Sequence, residues 1–314
     1  MYDELINIVY DYIEKIGVDD FENFIMIYNC SEILLNEKNF KFNYKNKKKY
    51  DFKKIDLLVE DFLCNLNHSY LDYYRLRKSD GSFIFKENDI CGEGYSTYND
   101  ETNQREIYVG LTGYIEDGFS IVHELFHDIN MTDNYFDSNG RYFFTECLSM
   151  LGEFLFYDYL ADKNIVDKRN VMQLCFYFLR SKALEVNFNL KLIREYFERG
   201  YLNDIIVHNI IKSYPEQYKG DIDDIIFSIC QGEWLTLEEE QTYILSCLCA
   251  IYMYYRIKDN KKNLNELFDL NQVLNDLNLG QVLDYLDLEH GDFDLTSDSY
   301  SILRDNYKRF IKRW

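Results

Sequence analysis

A mainly helical fold with one small β-sheet is what this sequence predicts, and three observations carry the prediction. One proline, Pro215, and 14 glycines in 314 residues leave few interruptions, which favours long helices over a many-turned β architecture. Apolar residues recur at helical spacing through most of the chain. Between residues 72 and 115 the character changes to short aromatic or β-branched runs punctuated by glycine. With 47% hydrophobic residues the chain can bury a sizeable core, so a disordered chain is excluded.

Taken in order, residues 1–36 predict two helices. The stretch KNFKFNYKNKKKYDFKK (38–54), with eight lysines, reads as a solvated loop or helix face at a joint, with a docking patch for an acidic partner as the alternative. An N-terminal helical segment over 1–54 is therefore expected before a second domain over 55–314. IDLLVEDFLCNL (55–66) has helical spacing. SFIF (82–85), GYST (94–97) and REIYVGLTG (105–113) read as the strands of a sheet at about 80–115. Helices are then expected at about 118–130 and 143–161 and on towards the end, with breaks near 131–140, 163–169, 213–221, 258–263 and 289–298. No period of 20–50 residues repeats, which excludes a solenoid.

Composition narrows the functional classes. Acidic residues outnumber basic ones 55 to 34, giving a formal charge of −21; such a surface repels phosphate backbones, so nucleic acid is not an expected partner. The eight cysteines form no C-x-x-C pair and sit mostly in apolar stretches, as expected in a reducing compartment. The start, MYDELINIVYDYIEK, lacks the basic region of a signal peptide. The longest apolar run, YILSCLCAIYMYY (243–255), is short for a membrane span. A soluble, cytoplasmic protein is expected.

The chemistry concentrates in IVHELFHDIN (121–130). On a helix His123 and His127, four apart, project from one face and can share a metal. Glu124 lies on a neighbouring face, within reach of a water at that metal. Asp117 or Ser120 stands where a helix cap is expected. A zinc enzyme needs a third protein ligand, and FFTECLSMLGEFLFYDYL (143–160) offers two. Glu146 and Glu153 are seven apart on one face of an otherwise apolar helix, where unpartnered carboxylates would be costly. Glu146 is the expected ligand with Glu153 behind it as a hydrogen-bond partner; the reverse assignment is the rival.

Taken together, REIYVGLTGYIEDGFSIVHELFH and TECLSMLGEFLFYDYL resemble the thimet oligopeptidase and oligopeptidase F family of zinc metallopeptidases. A weaker likeness covers DYYRLRKSDGSFIFKENDICGEGYST and extends downstream to about residue 260. Gly113 to Asp117 matches the family's Gly-x-x-x-Asp turn into the HExxH helix, and Glu146 with Glu153 matches its glutamate pair. The resemblance implies a reduced, zincin-like catalytic domain with Zn²⁺ on His123, His127 and Glu146. It further implies Glu124 as general base in peptide-bond hydrolysis, and an extended peptide as substrate.

There are departures. Phe126 stands where the family shows glycine, the histidine of the next turn is absent, and the chain is about half the usual length, so a reduced helical lobe is expected. LEEEQTYILSCLCAIYMYY (237–255) has tyrosines but no histidine where the family places a histidine-and-tyrosine cluster. Tyr243 best matches the oxyanion role there, followed by Tyr254, and both are equally readable as ordinary core or rim aromatics. His208 reads as a buried histidine. REIYVGLTG is expected to be the sheet edge to which a peptide adds. Two alternatives stand beside the peptidase reading: an inactive relative acting as a binding or regulatory protein, and a protease narrowed to one protein target.

Overall fold

The computed structural model describes residues 2–15, 18–35, 48–87, 94–99, 104–130, 139–166, 168–231, 237–259, 279–291 and 295–313. Helices dominate, and one three-stranded sheet lies among them, as composition and periodicity predict. Most of the lysine-rich joint, and the expected breaks at 131–138 and 260–263, lie outside the described residues.

The chain divides into two units. One comprises residues 43–173, 249–282 and 310–314 and holds the sheet; the other comprises 1–42, 174–248 and 283–309. Each is thus assembled from stretches far apart in sequence, whereas the expected division fell at residue 54.

In the sheet unit, α1 (Phe52–Leu66) starts at Asp51, whose carboxylate accepts from the Lys53 amide at 2.8 Å. Asn67 then caps α2 (His68–Ser79) by accepting from the Ser69 amide at 3.0 Å. The aromatic character that begins at residue 72 does not end the helix, which continues to Ser79. Tyr70, Leu71 and Tyr74 give α2 a buried stripe at helical spacing, which outweighs the aromatic strand propensity of the segment.

Strands β1 (Phe83–Glu87), β2 (Gly94–Asn99) and β3 (Gln104–Leu111) follow, in the spatial order β1-β3-β2. β3 pairs in parallel with β1 and antiparallel with β2. This corrects the expected docking edge: β3, the strand formed by REIYVGLTG, is central and its main chain is already paired on both sides. Among the described residues the open edges belong to β1 and β2. Alternation sends Ile107, Val109 and Leu111 into the core, while Tyr108 on the other face stacks on Tyr95 of β2 with ring centroids 4.8 Å apart.

Helix α3 (Glu116–Asn130) backs the sheet, and α4 (Asn139–Asp162) packs against α3. Ile121, Val122, Leu125 and Phe126 of α3 are buried, as are Phe143, Phe144, Leu148 and Leu151 of α4. The two helices meet closely because α4 has no side chain at Gly152, where a Cβ would lie 2.7 Å from the Phe126 ring. The far end of α3 is held by Asp128, fully buried, which accepts from Arg77 Nε at 2.8 Å and Nη2 at 3.2 Å and from the Tyr73 hydroxyl at 2.7 Å. Arg77 also donates to Ser82 and to the Arg105 carbonyl, so one guanidinium ties α2, the start of β1, β3 and α3 together.

The other unit is helical. It contains α-helices at Tyr2–Ile13, Val18–Leu35, Asp204–Ser213 and Lys219–Cys230, with most of Lys168–Arg199, Leu237–Lys258 and Ser297–Arg313. Buried Asn187 donates to Ser31 and Glu32 and accepts from the Tyr214 hydroxyl at 2.6 Å, which satisfies both ends of its amide.

Candidate metal centre

The strand-to-helix turn aims α3. Gly113 adopts φ +82°, the left-handed region that favours glycine. The buried Asp117 carboxylate accepts from the Thr112 and Gly113 amides at 3.0 and 2.8 Å and from the Thr112 hydroxyl at 2.6 Å. Asp117 therefore ties α3 back to the chain that enters it, where the sequence reading had it as a possible cap of the helix itself.

Further along α3 and one turn apart, His123 and His127 project together, with their Nε2 atoms 2.9 Å apart. Glu146 of α4 meets them: its Oε1 lies 3.1 Å from His127 Nε2 and its Oε2 3.6 Å from His123 Nε2. Among the described residues His123, His127 and Glu146 form one cluster of possible metal ligands, each offering an atom within 4.8 Å of the others. Glu146 is 2% exposed. Glu153, two turns along α4, sits behind His123, its Oε1 2.6 Å from Nδ1. Beside a carboxylate Nδ1 carries the hydrogen, and Nε2 is turned towards His127 and Glu146.

Burial pulls the His123 imidazole pKa down, but the Glu153 hydrogen bond and the charges of Glu146 and Glu124 outweigh it and push the value up to about 10. Two imidazole nitrogens this close, beside a buried carboxylate, converge on one point where a hydrogen or a cation would satisfy them together. Two neutral imidazoles and one carboxylate also form a zinc donor set, so these residues fit a Zn²⁺ ion.

Glu124 is buried against β2, where its Oε2 accepts from the Ser96 hydroxyl at 2.9 Å. Sequence reasoning missed Ser96. GYST is legible as a strand, but no spacing rule links residue 96 to residue 124.

The tyrosines divide. Tyr254 is fully buried in the sheet unit and donates to Asp158 at 2.5 Å, a contact that occupies the hydroxyl expected to be available to a substrate. Tyr243 is half-buried in the same helix, in the stretch assigned to the other unit, so the unit with the histidines and glutamates does not contain it. His208 is exposed, contrary to expectation. Residues 207 and 210, not 208, face inward on its helix.

No family model and no curated protein matches the sequence. The fold does have solved relatives. A Bacillus anthracis protein described as an oligoendopeptidase F is 15% identical, with a TM-score of 0.56 over 98% of this chain and 56% of its own. A Chlamydophila abortus protein described as a peptidase is 17% identical, with a TM-score of 0.56 over 100% and 55%. PZ peptidase A, solved with an inhibitor, is 15% identical, with a TM-score of 0.59 over 94% and 58%. The chain spans little more than half the length of these structures, and over that span it has the fold of oligopeptidase-type enzymes.

Proposed function

We propose that this chain is a zinc-dependent metallopeptidase, with His123, His127 and Glu146 as metal ligands and Glu124 as general base. The observation that carries the reading is the convergence of the His123, His127 and Glu146 donor atoms within 4.8 Å, one residue from a buried glutamate, in a fold shared with peptidases. The positions of the two glutamates favour Glu146 over Glu153 as ligand, because Glu146 faces the Nε2 atoms and Glu153 faces Nδ1.

A Zn²⁺ ion held there supplies Lewis acidity, which makes water acidic near neutral pH and polarises a carbonyl. Glu146 and the two imidazoles fix the ion's place, and Glu153 keeps the His123 ring in the tautomer that exposes Nε2. Glu124 takes the proton of the attacking water and delivers it to the leaving amine. Its second oxygen rests on Ser96, so the carboxylate does not have to search for its orientation. β2, whose residues 94 and 96 meet Glu124 and whose outer edge is open among the described residues, replaces β3 as the strand to which an extended substrate adds by main-chain hydrogen bonds. The role of Tyr243 as oxyanion donor rests on the resemblance alone.

A second reading has two observations in its favour. Residues 237–255 contain no histidine, and Tyr254 is committed to Asp158, so the donors that stabilise a tetrahedral intermediate are reduced. On that reading the chain binds zinc and peptide but turns over slowly or not at all. Cleavage of a mixed quenched-peptide library by zinc-loaded wild type and Glu124→Gln separates the two. The peptidase reading expects cleavage by wild type that falls at least about a hundredfold in the variant while zinc is retained. Cleavage that persists unchanged in Glu124→Gln sinks it.

A further inference from the structure

We infer that Ser96 is a positioning residue for Glu124, and that β2 as a whole fixes the rotamer of the general base. The inference rests on the proposed role of Glu124 and deepens it. Strand alternation puts residues 94 and 96 on one face of β2 and Tyr95 on the other. Tyr95 indeed stacks on Tyr108, and residues 94 and 96 both meet Glu124. The Ser96 hydroxyl donates to Glu124 Oε2 at 2.9 Å and lies 3.3 Å from the Glu124 carbonyl oxygen. A carboxylate only accepts, so the direction of the first bond is settled.

Gly94 completes the cradle. A Cβ at that position would lie 2.8 Å from Glu124 Cγ and 3.0 Å from Oε1, so the side chain fits only where β2 has none. Ser96 thus holds one oxygen while the bare Gly94 backbone leaves room for the other. A carboxylate so confined, inside a site that buries it, works from one orientation. Serine and glycine serve here for physical reasons: serine is the smallest side chain that donates, and glycine the only residue without a Cβ.

The test uses the full-length, zinc-loaded protein with Ser96→Ala, Ser96→Thr, Gly94→Ala and Glu124→Gln. Ser96→Ala removes one hydroxyl without adding volume, so it is expected to keep its zinc stoichiometry and its melting temperature. Its kcat should fall roughly tenfold to a hundredfold, the range for a lost hydrogen bond to a charged group, with KM within about twofold. Ser96→Thr, which keeps the hydroxyl, should recover most of that loss, and Gly94→Ala should lower kcat in the same direction. Unchanged kcat in Ser96→Ala, alongside an inactive Glu124→Gln, overturns the inference and leaves the peptidase reading standing. Full activity in Glu124→Gln removes the peptidase reading itself. A crystal structure of each zinc-loaded protein supplies the readout that needs no activity. Glu124 should be found on Ser96 in wild type and turned to another rotamer in Ser96→Ala. A wild-type structure with Ser96 Oγ beyond hydrogen-bond range of Glu124 overturns the inference whatever the kinetics show.

Discussion

Phe126 and Gly152 illustrate what single residues decide in this molecule. A phenyl ring between the two histidines of the HELFH segment needs space on the facing helix, and Gly152 gives it. A Cβ at 152 would press on three ring carbons at 2.7 to 2.9 Å. Gly152→Ala is therefore expected to destabilise the protein by about 1–3 kcal/mol through overpacking, although alanine is the better helix former. Thermal or urea unfolding measures it, and Phe126→Leu in the same chain should recover part of the loss if the ring is the cause. The sequence flagged Phe126 as unusual but was silent on Gly152, because helix periodicity says which face a residue occupies and not which residue of another helix it meets. The same limit hid Ser96. By contrast the cluster of His123, His127 and Glu146, with Glu124 and Glu153 beside it, was legible, since these residues are arranged by spacing within two helices.

At the level of elements, the three strands and the two site helices were readable from local pattern, and their order was not. REIYVGLTG has the composition of a strand wherever it lies; pairing with β1 and β2 made it central, which no property of those nine residues expresses. Helix α2 carries tyrosines that favour strands, and its Asn67 cap and buried stripe determine the outcome instead. What keeps α3 aligned with its neighbours is the buried Arg77–Asp128 pair. Asp128→Ala leaves the largely buried Arg77 guanidinium without its one buried carboxylate partner, with Asp80 at 3.6 Å as the remaining acid, and should cost about 3 kcal/mol. The site should loosen with it, so the variant is expected to lose zinc at a chelator concentration that wild type tolerates. Retention of wild-type stability by Asp128→Ala would show that the pair contributes nothing net.

For the whole molecule the dominant feature is charge. A formal charge of −21 accompanies a site in which one carboxylate, Glu146, meets the two histidines and two more, Glu124 and Glu153, lie beside them. Cationic peptides should be drawn in, and acidic ones held off. The expected outcome is a kcat/KM preference for lysine- or arginine-containing peptides over acidic counterparts of the same length, shrinking between 20 mM and 500 mM salt as screening shortens to a few ångströms, on the order of the 3 Å Debye length at 1 M. A preference that is indifferent to salt would point to local contacts instead.

Zinc stoichiometry by mass spectrometry, on wild type, Glu124→Gln and Glu146→Ala purified side by side, tests the central claim most directly. If His123, His127 and Glu146 hold the metal and Glu124 does not, wild type and Glu124→Gln carry about one zinc each, and Glu146→Ala falls well below that. Equal zinc in all three would remove Glu146 from the ligand set, and no zinc in wild type after reconstitution would contradict the metal centre altogether.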